Sequence, residues 1–149
     1  MNARQLIEDE MDDKDEILAG RPDAQPRQDE RTLDPFTVAY MEAALFLTTN
    51  ENASDGRSLN RDYSEHDLAN RTYKKMIEDC ASFQKENADD LATGTPERGG
   101  HDFWLTRNGH GSGFWAGDWP DDAGERLSAA AERYGETWIY LGDDGRIHS

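Results

Sequence analysis

One stretch of the chain leaves little freedom of placement. Residues 35–50, PFTVAYMEAALFLTTN, are apolar nearly all round when wound as a helix, with Phe36, Val38, Tyr40, Met41, Leu45, Phe46 and Leu47 spread about the axis. A helix with so little polar surface belongs at the centre of a fold. Asp34 and Pro35 open it, because an aspartate accepts from the unpaired N–H groups of a first turn and proline fits where no N–H is required. It stops around Thr48 to Asn50, where ENASDGRSLNRDY brings loop chemistry rich in Asn, Ser, Asp and Gly. The rest of the 149 residues is far more polar, with 35% hydrophobic residues overall and a mean hydropathy of -0.98. That composition suits one domain with a modest core.

Composition changes near residue 33. Residues 1–33 hold no aromatic side chain and carry ten acidic residues against five basic ones. Such a segment buries too little apolar surface to offset its ordering entropy, so a mostly disordered acidic arm is expected over 1–33 and a folded domain over 34–149. Leu6, Ile7, Met11, Ile17 and Leu18 recur loosely at helical spacing, which allows a short amphipathic helix over 3–18 on a partner or on the domain. Pro22 and Pro26 mark the linker that follows.

Within the domain, Ser64-Glu65-His66-Asp67 has the pattern of a capping box, which predicts a second helix starting there. Its apolar positions Leu68, Tyr73, Met76, Ile77, Cys80, Phe83 and Leu91 carry it to about residue 91, and Thr93-Gly94-Thr95-Pro96 ends it. From Gly99 glycine and aromatic residues dominate. HDFWLTR reads as a strand, NGHGSG as a turn and FWAGDW as the returning strand of a β-hairpin. DDAGERLSAAAERYG predicts a third helix with Leu127, Ala130, Ala131 and Tyr134 inward and Gly135 at its end. TWIYL, the turn Asp143-Asp144-Gly145 and Arg146-Ile147-His148 complete the order as two further strands. The expected class is α+β, a small antiparallel sheet of hairpin plus C-terminal strand packed against two or three helices.

The block GHDFWLTRNGHGSGFWAGDW at 100–119, with IYLGDDGRI after the third helix, resembles a family of small proteins encoded by tailed bacteriophages and prophages. FTVAYMEAALF at 36–46 and the stretch from DYSEHDLA to MIEDCASFQKENADDL at 62–91 are similar to the same family, so the resemblance spans roughly residues 34–147. It implies a phage-type accessory protein made in the bacterial cytoplasm. No functional residue is carried over by it.

Chemical candidates concentrate in the same block. His101, Asp102, His110 and Asp118 combine imidazole and carboxylate, the donors that hold zinc or another divalent ion when several converge. Adjacent strand residues face opposite ways, so His101 and Asp102 share one site only at a bulge. His110, between Gly109 and Gly111, serves as a general base only if Asp118 or Asp102 orients its second nitrogen; Ser112 lies nearby without the strand–turn–helix context of a nucleophile. GHGSG superficially matches a phosphate-cradling loop, yet it lacks the lysine and the following helix of a P-loop, and a turn needing positive φ accounts for its glycines. The tryptophans at 104, 115 and 119 with Phe103 and Phe114 are core or an exposed contact patch. For binding, the block singles out Trp104, Arg107, Asn108, His110, Trp115 and Asp118.

Charge narrows the partners. Asp+Glu 32 against Lys+Arg 16 give a net charge of -16, which argues against direct nucleic-acid binding and against anionic membranes. Residues 34–149 alone carry -11, so the excess belongs to the domain as well as the arm. Glu78, Asp79, Glu86, Asp89 and Asp90 fall on the second helix, and Asp118, Asp121, Asp122 and Glu125 around the start of the third. Aligned carboxylates can occupy a basic groove that otherwise holds DNA phosphates. A host or phage protein with a basic surface is therefore the expected partner, with no cofactor. A small metal-dependent or His-based hydrolase built on His101, Asp102, His110 and Asp118 is the alternative. No apolar run reaches the roughly 18 residues of a membrane span, the N-terminus has no signal-peptide pattern, and Cys80 has no partner for a disulfide. These features point to the cytoplasm.

Overall fold

A computed structural model describes residues 32–149; the arm and its 3–18 helix lie outside the described residues. The chain forms helices α1 (Pro35–Phe46), α2 (Asn70–Glu86), α3 (Ala88–Leu91), α4 (Pro96–Arg107) and α5 (Asp121–Glu132), then strands β1 (Tyr140–Leu141) and β2 (Ile147–His148). The strands pair antiparallel, Tyr140 opposite His148 and Leu141 opposite Ile147. The class is α+β, with helices dominant and a very small sheet.

α1 starts where its sequence says it should: Asp34 Oδ1 accepts from the Thr37 N–H at 2.8 Å and Pro35 sits in the first turn. It buries Phe36, Tyr40, Met41, Ala44 and Leu45. Around it Phe83, Phe103, Trp104 and Phe114 build an aromatic centre in which Phe83 and Phe103 stack at 4.1 Å and Tyr40 meets Trp104 edge-on at 5.4 Å. Fully burying side chains of this kind stabilises a fold by about 1.5–3 kcal/mol each.

The hairpin expected over 101–118 is not formed. HDFWLTR is the C-terminal half of α4, whose first turn is set by Pro96 and by Thr95 Oγ1 accepting from the Arg98 N–H at 3.2 Å. Thr95-Pro96 thus opens a helix as well as closing the one before it. The glycines serve a close helix crossing: a Cβ at Gly100 would overlap the Phe36 carbonyl oxygen, and one at Gly99 would lie 3.0 Å from the Phe36 ring. FWAGDW is likewise no strand. Phe114–Ala116 is a single 3-10 turn, anchored where Thr106 Oγ1 accepts from the Phe114 N–H at 3.1 Å. The sheet therefore consists of the C-terminal pair alone, and within TWIYL only Tyr140 and Leu141 are strand.

The Ser64 capping box forms, with the Ser64 N–H donating to Asp67 Oδ2 at 2.8 Å, but it caps a 3-10 turn over Glu65–Asp67. Leu68 then turns extended and bridges Ile147, whose carbonyl accepts from the Ala69 N–H at 2.9 Å, so α2 begins only at Asn70. The C-terminal strand displaced the helix start.

Candidate functional site

The candidates of the 101–118 block separate into buried and exposed sets once α4 is a helix. Trp104 is fully buried and edge-packed on Tyr40, with no partner for its Nε1 hydrogen among the described residues. Arg107 is also buried at the last turn of α4. Its Nη1 donates to Tyr40 Oη at 3.0 Å and to Asp79 Oδ2 at 2.9 Å, Nε to the Gly135 carbonyl at 2.8 Å and Nη2 to the Tyr134 carbonyl at 3.0 Å. The guanidinium also lies 5.5 Å from the ring centres of both Phe103 and Tyr134. A planar fork of five donors suits this task, because it satisfies carbonyls left open after α5 and neutralises Asp79 together. Asn108 extends the clamp: Nδ2 donates to the Trp104 carbonyl at 3.1 Å and Oδ1 accepts from the Thr137 N–H at 2.9 Å. Both residues join α4 to the 134–137 segment.

Asp102 is buried and accepts from Trp119 Nε1 at 2.8 Å, while His101, one residue earlier on the helix, points outward with Nδ1 at 3.7 Å from Asp102 Oδ1. Burial raises the Asp102 pKa above the ordinary carboxylate value, and the indole hydrogen bond opposes only part of that. Asp118 is exposed and paired with Arg98 Nη1 at 2.9 Å. His110 packs against Trp138, ring centres 5.8 Å apart. His101 and Asp102 are thus near each other, whereas Asp118 pairs with the start of α4 and His110 with the 138 segment. Among the described residues no three His, Cys, Asp or Glu side chains gather as metal ligands. Burial likewise pushes the Tyr40 hydroxyl and the Cys80 thiol well above their ordinary pKa values, which keeps both protonated.

The exposed surface holds large aromatics and many carboxylates, with Arg71, Lys74 and Lys75 clustered beside Tyr140. Trp115 is 54% exposed, as are, to similar degrees, Phe46 at 56%, Trp138 at 49% and Tyr140 at 57%. Trp138 and Tyr140 flank buried Ile139, and Tyr140 stacks on His148 at 5.7 Å. That alternation was present in TWIYL and was the one available signal for this edge. On another side the end of α2, α3 and α5 bring Glu86, Asp89, Asp122 and Glu125 to exposed positions, and Asp90 joins α3 to α5 through Arg126 at 2.7 Å. The sequence placed these carboxylates on separate helices without showing that they adjoin.

No helix among the described residues is long and apolar enough to cross a membrane. No protein-family model, curated protein or solved structure matches the chain.

Proposed function

We propose that the chain is a phage-type accessory protein that acts without catalysis, by binding a host or phage protein with a basic surface. The observation that carries this reading is the division of labour just described. Asp102, Arg107 and Asn108 are engaged in internal hydrogen bonds, while Trp115, Trp138 and Tyr140 stand about half exposed on a domain of net charge -11. Large half-exposed aromatics supply contact area at low conformational cost, and a single-sign surface supplies steering toward an oppositely charged partner. The adjoining carboxylates of α3 and α5 support a sharper form, in which the acidic face enters a groove that otherwise holds DNA phosphates.

The test is retention from bacterial host lysate on the immobilised full chain across a salt series. A specific protein held at roughly 0.05 M salt and released as screening shortens the Debye length is expected. Charge reversal at Asp89, Asp122 and Glu125 weakens that retention. If nothing is retained at the lowest salt, the reading fails.

A further inference from the structure

One face of α1 repeats at i, i+3, i+4 and i+7: Ala39 and Ala43, both buried, alternate with Glu42 and Phe46, both exposed. Together with the start of α4 and the 60–65 segment it lines a groove of about 750 Å³. The small side chains of Ala39 and Ala43 form a low floor, and Phe46, 56% exposed, stands at one end. The apolar surplus of α1 that marked it as central thus has a second outlet. A cleft of this size is in the range that takes several side chains of a ligand. Its rim is mostly acidic: Glu42 and Glu97 are exposed, Glu65 lines the third wall, His101 lies beside them, and the one arginine among the described lining residues, Arg98, is directed to Asp118 at 2.9 Å.

We infer that this groove receives an amphipathic basic segment of a partner protein, its apolar side chains packing on Phe46 and across the alanine floor beside it, and its lysines or arginines set against Glu42 and Glu97. The inference deepens the binding function proposed above and rests on it. Charge selects this occupant over two others. Residues 1–33 of the chain carry ten acidic side chains against five basic ones, and a second copy of the domain is itself at -11, so both repel the rim. A helix laid in a groove by anchors at i, i+3, i+4 and i+7 is a recurrent solution for such shapes.

The experiment uses the full chain labelled for NMR and a short synthetic peptide with leucines at i, i+3, i+4 and i+7 and lysines elsewhere. Expected are shifts confined to Ala39, Ala43, Phe46 and the start of α4 at 95–101, and affinity lowered about tenfold or more by Phe46→Ser or by Glu42→Lys with Glu97→Lys. Phe46→Ser should keep the wild-type thermal midpoint, since that ring is half outside. Equal binding of a lysine peptide with serine in place of leucine would reduce the effect to general charge attraction and overturn the inference. So would binding of the glutamate counterpart, nuclear Overhauser contacts from residues 1–31 to Phe46 in the free chain, or groove shifts that grow with protein concentration alone. If lysate retention survives Phe46→Ser and the double lysine variant undiminished, the groove assignment fails while the broader binding function stands.

Discussion

Two arginine–aspartate pairs of almost equal length sit in opposite surroundings. Arg107 and Asp79 meet at 2.9 Å with side chains 4% and 8% exposed, whereas Arg126 and Asp90 meet at 2.7 Å with side chains 60% and 18% exposed. Geometry alone would rank them together. Solvent separates them, because an exposed pair exchanges one well-hydrated arrangement for another, while a buried pair leaves an uncompensated charge if either partner is lost. The buried pair is also wired into Tyr40 and into the Tyr134 and Gly135 carbonyls, so it fixes how the end of α4, α1, α2 and the chain after α5 meet. The outer pair joins α3 to α5 and holds acidic faces side by side.

The largest expected consequence is that of Arg107→Ala, which leaves buried Asp79 to the exposed Lys75, whose Nζ donates to Oδ1 at 2.8 Å, and leaves the two carbonyls unpaired. Unfolding in denaturant should show a loss of about 3–5 kcal/mol, the usual penalty for breaking a buried pair. A loss near that of a surface substitution would erase the contrast. Replacing the pair together, Arg107→Met with Asp79→Leu, should recover much of the loss, because no buried charge then remains. Failure to recover would mean that the carbonyl and Tyr40 contacts, rather than the charge pair, dominate.

Asp102 supplies an intermediate case with a pH signature. Its native pKa lies above the unfolded value of about 3.8, so the folded state binds the proton more tightly and stability falls as pH rises through the window above that value. Asp102→Asn keeps an oxygen for the Trp119 indole and removes the titration. Its thermal midpoint should therefore rise relative to wild type as pH increases above about 4, and parallel profiles would refute the shift. The smallest effect belongs to Arg126→Ala, a midpoint change several-fold below that of Arg107→Ala and lost at about 1 M salt. Because Arg126 holds Asp90 below the usual carboxylate range by hydrogen bonding, what it contributes is present above that range and disappears as pH falls.

The readable parts of the chain were those governed by neighbours in sequence. The Asp34-Pro35 start, the Ser64 capping box, the inward face Leu127, Ala130 and Ala131 and the Asp143–Gly145 turn each depend on groups a few residues apart. The 96–107 segment was misread because two glycines and adjacent aromatics look like a strand and turn by local preference. Each glycine costs a helix about 1 kcal/mol relative to alanine, and that cost is offset only by the close approach to Phe36 that it permits. Arg107 and Asn108 read as surface binding residues because their hydrogen-bond partners lie 27 or more positions away, except for the Trp104 carbonyl.

The sequence by itself determined that the chain is acidic, that α1 lies at the centre of the domain and where α1 and α5 begin. Those outcomes follow from composition, periodicity and capping, all of which act over one or two turns. Only the tertiary structure decided that 101–107 is helical, that α2 waits until Asn70, and which polar side chains are buried clamps and which aromatics stay outside. Each of these depends on a contact between segments far apart in the chain, whose energy no local pattern records.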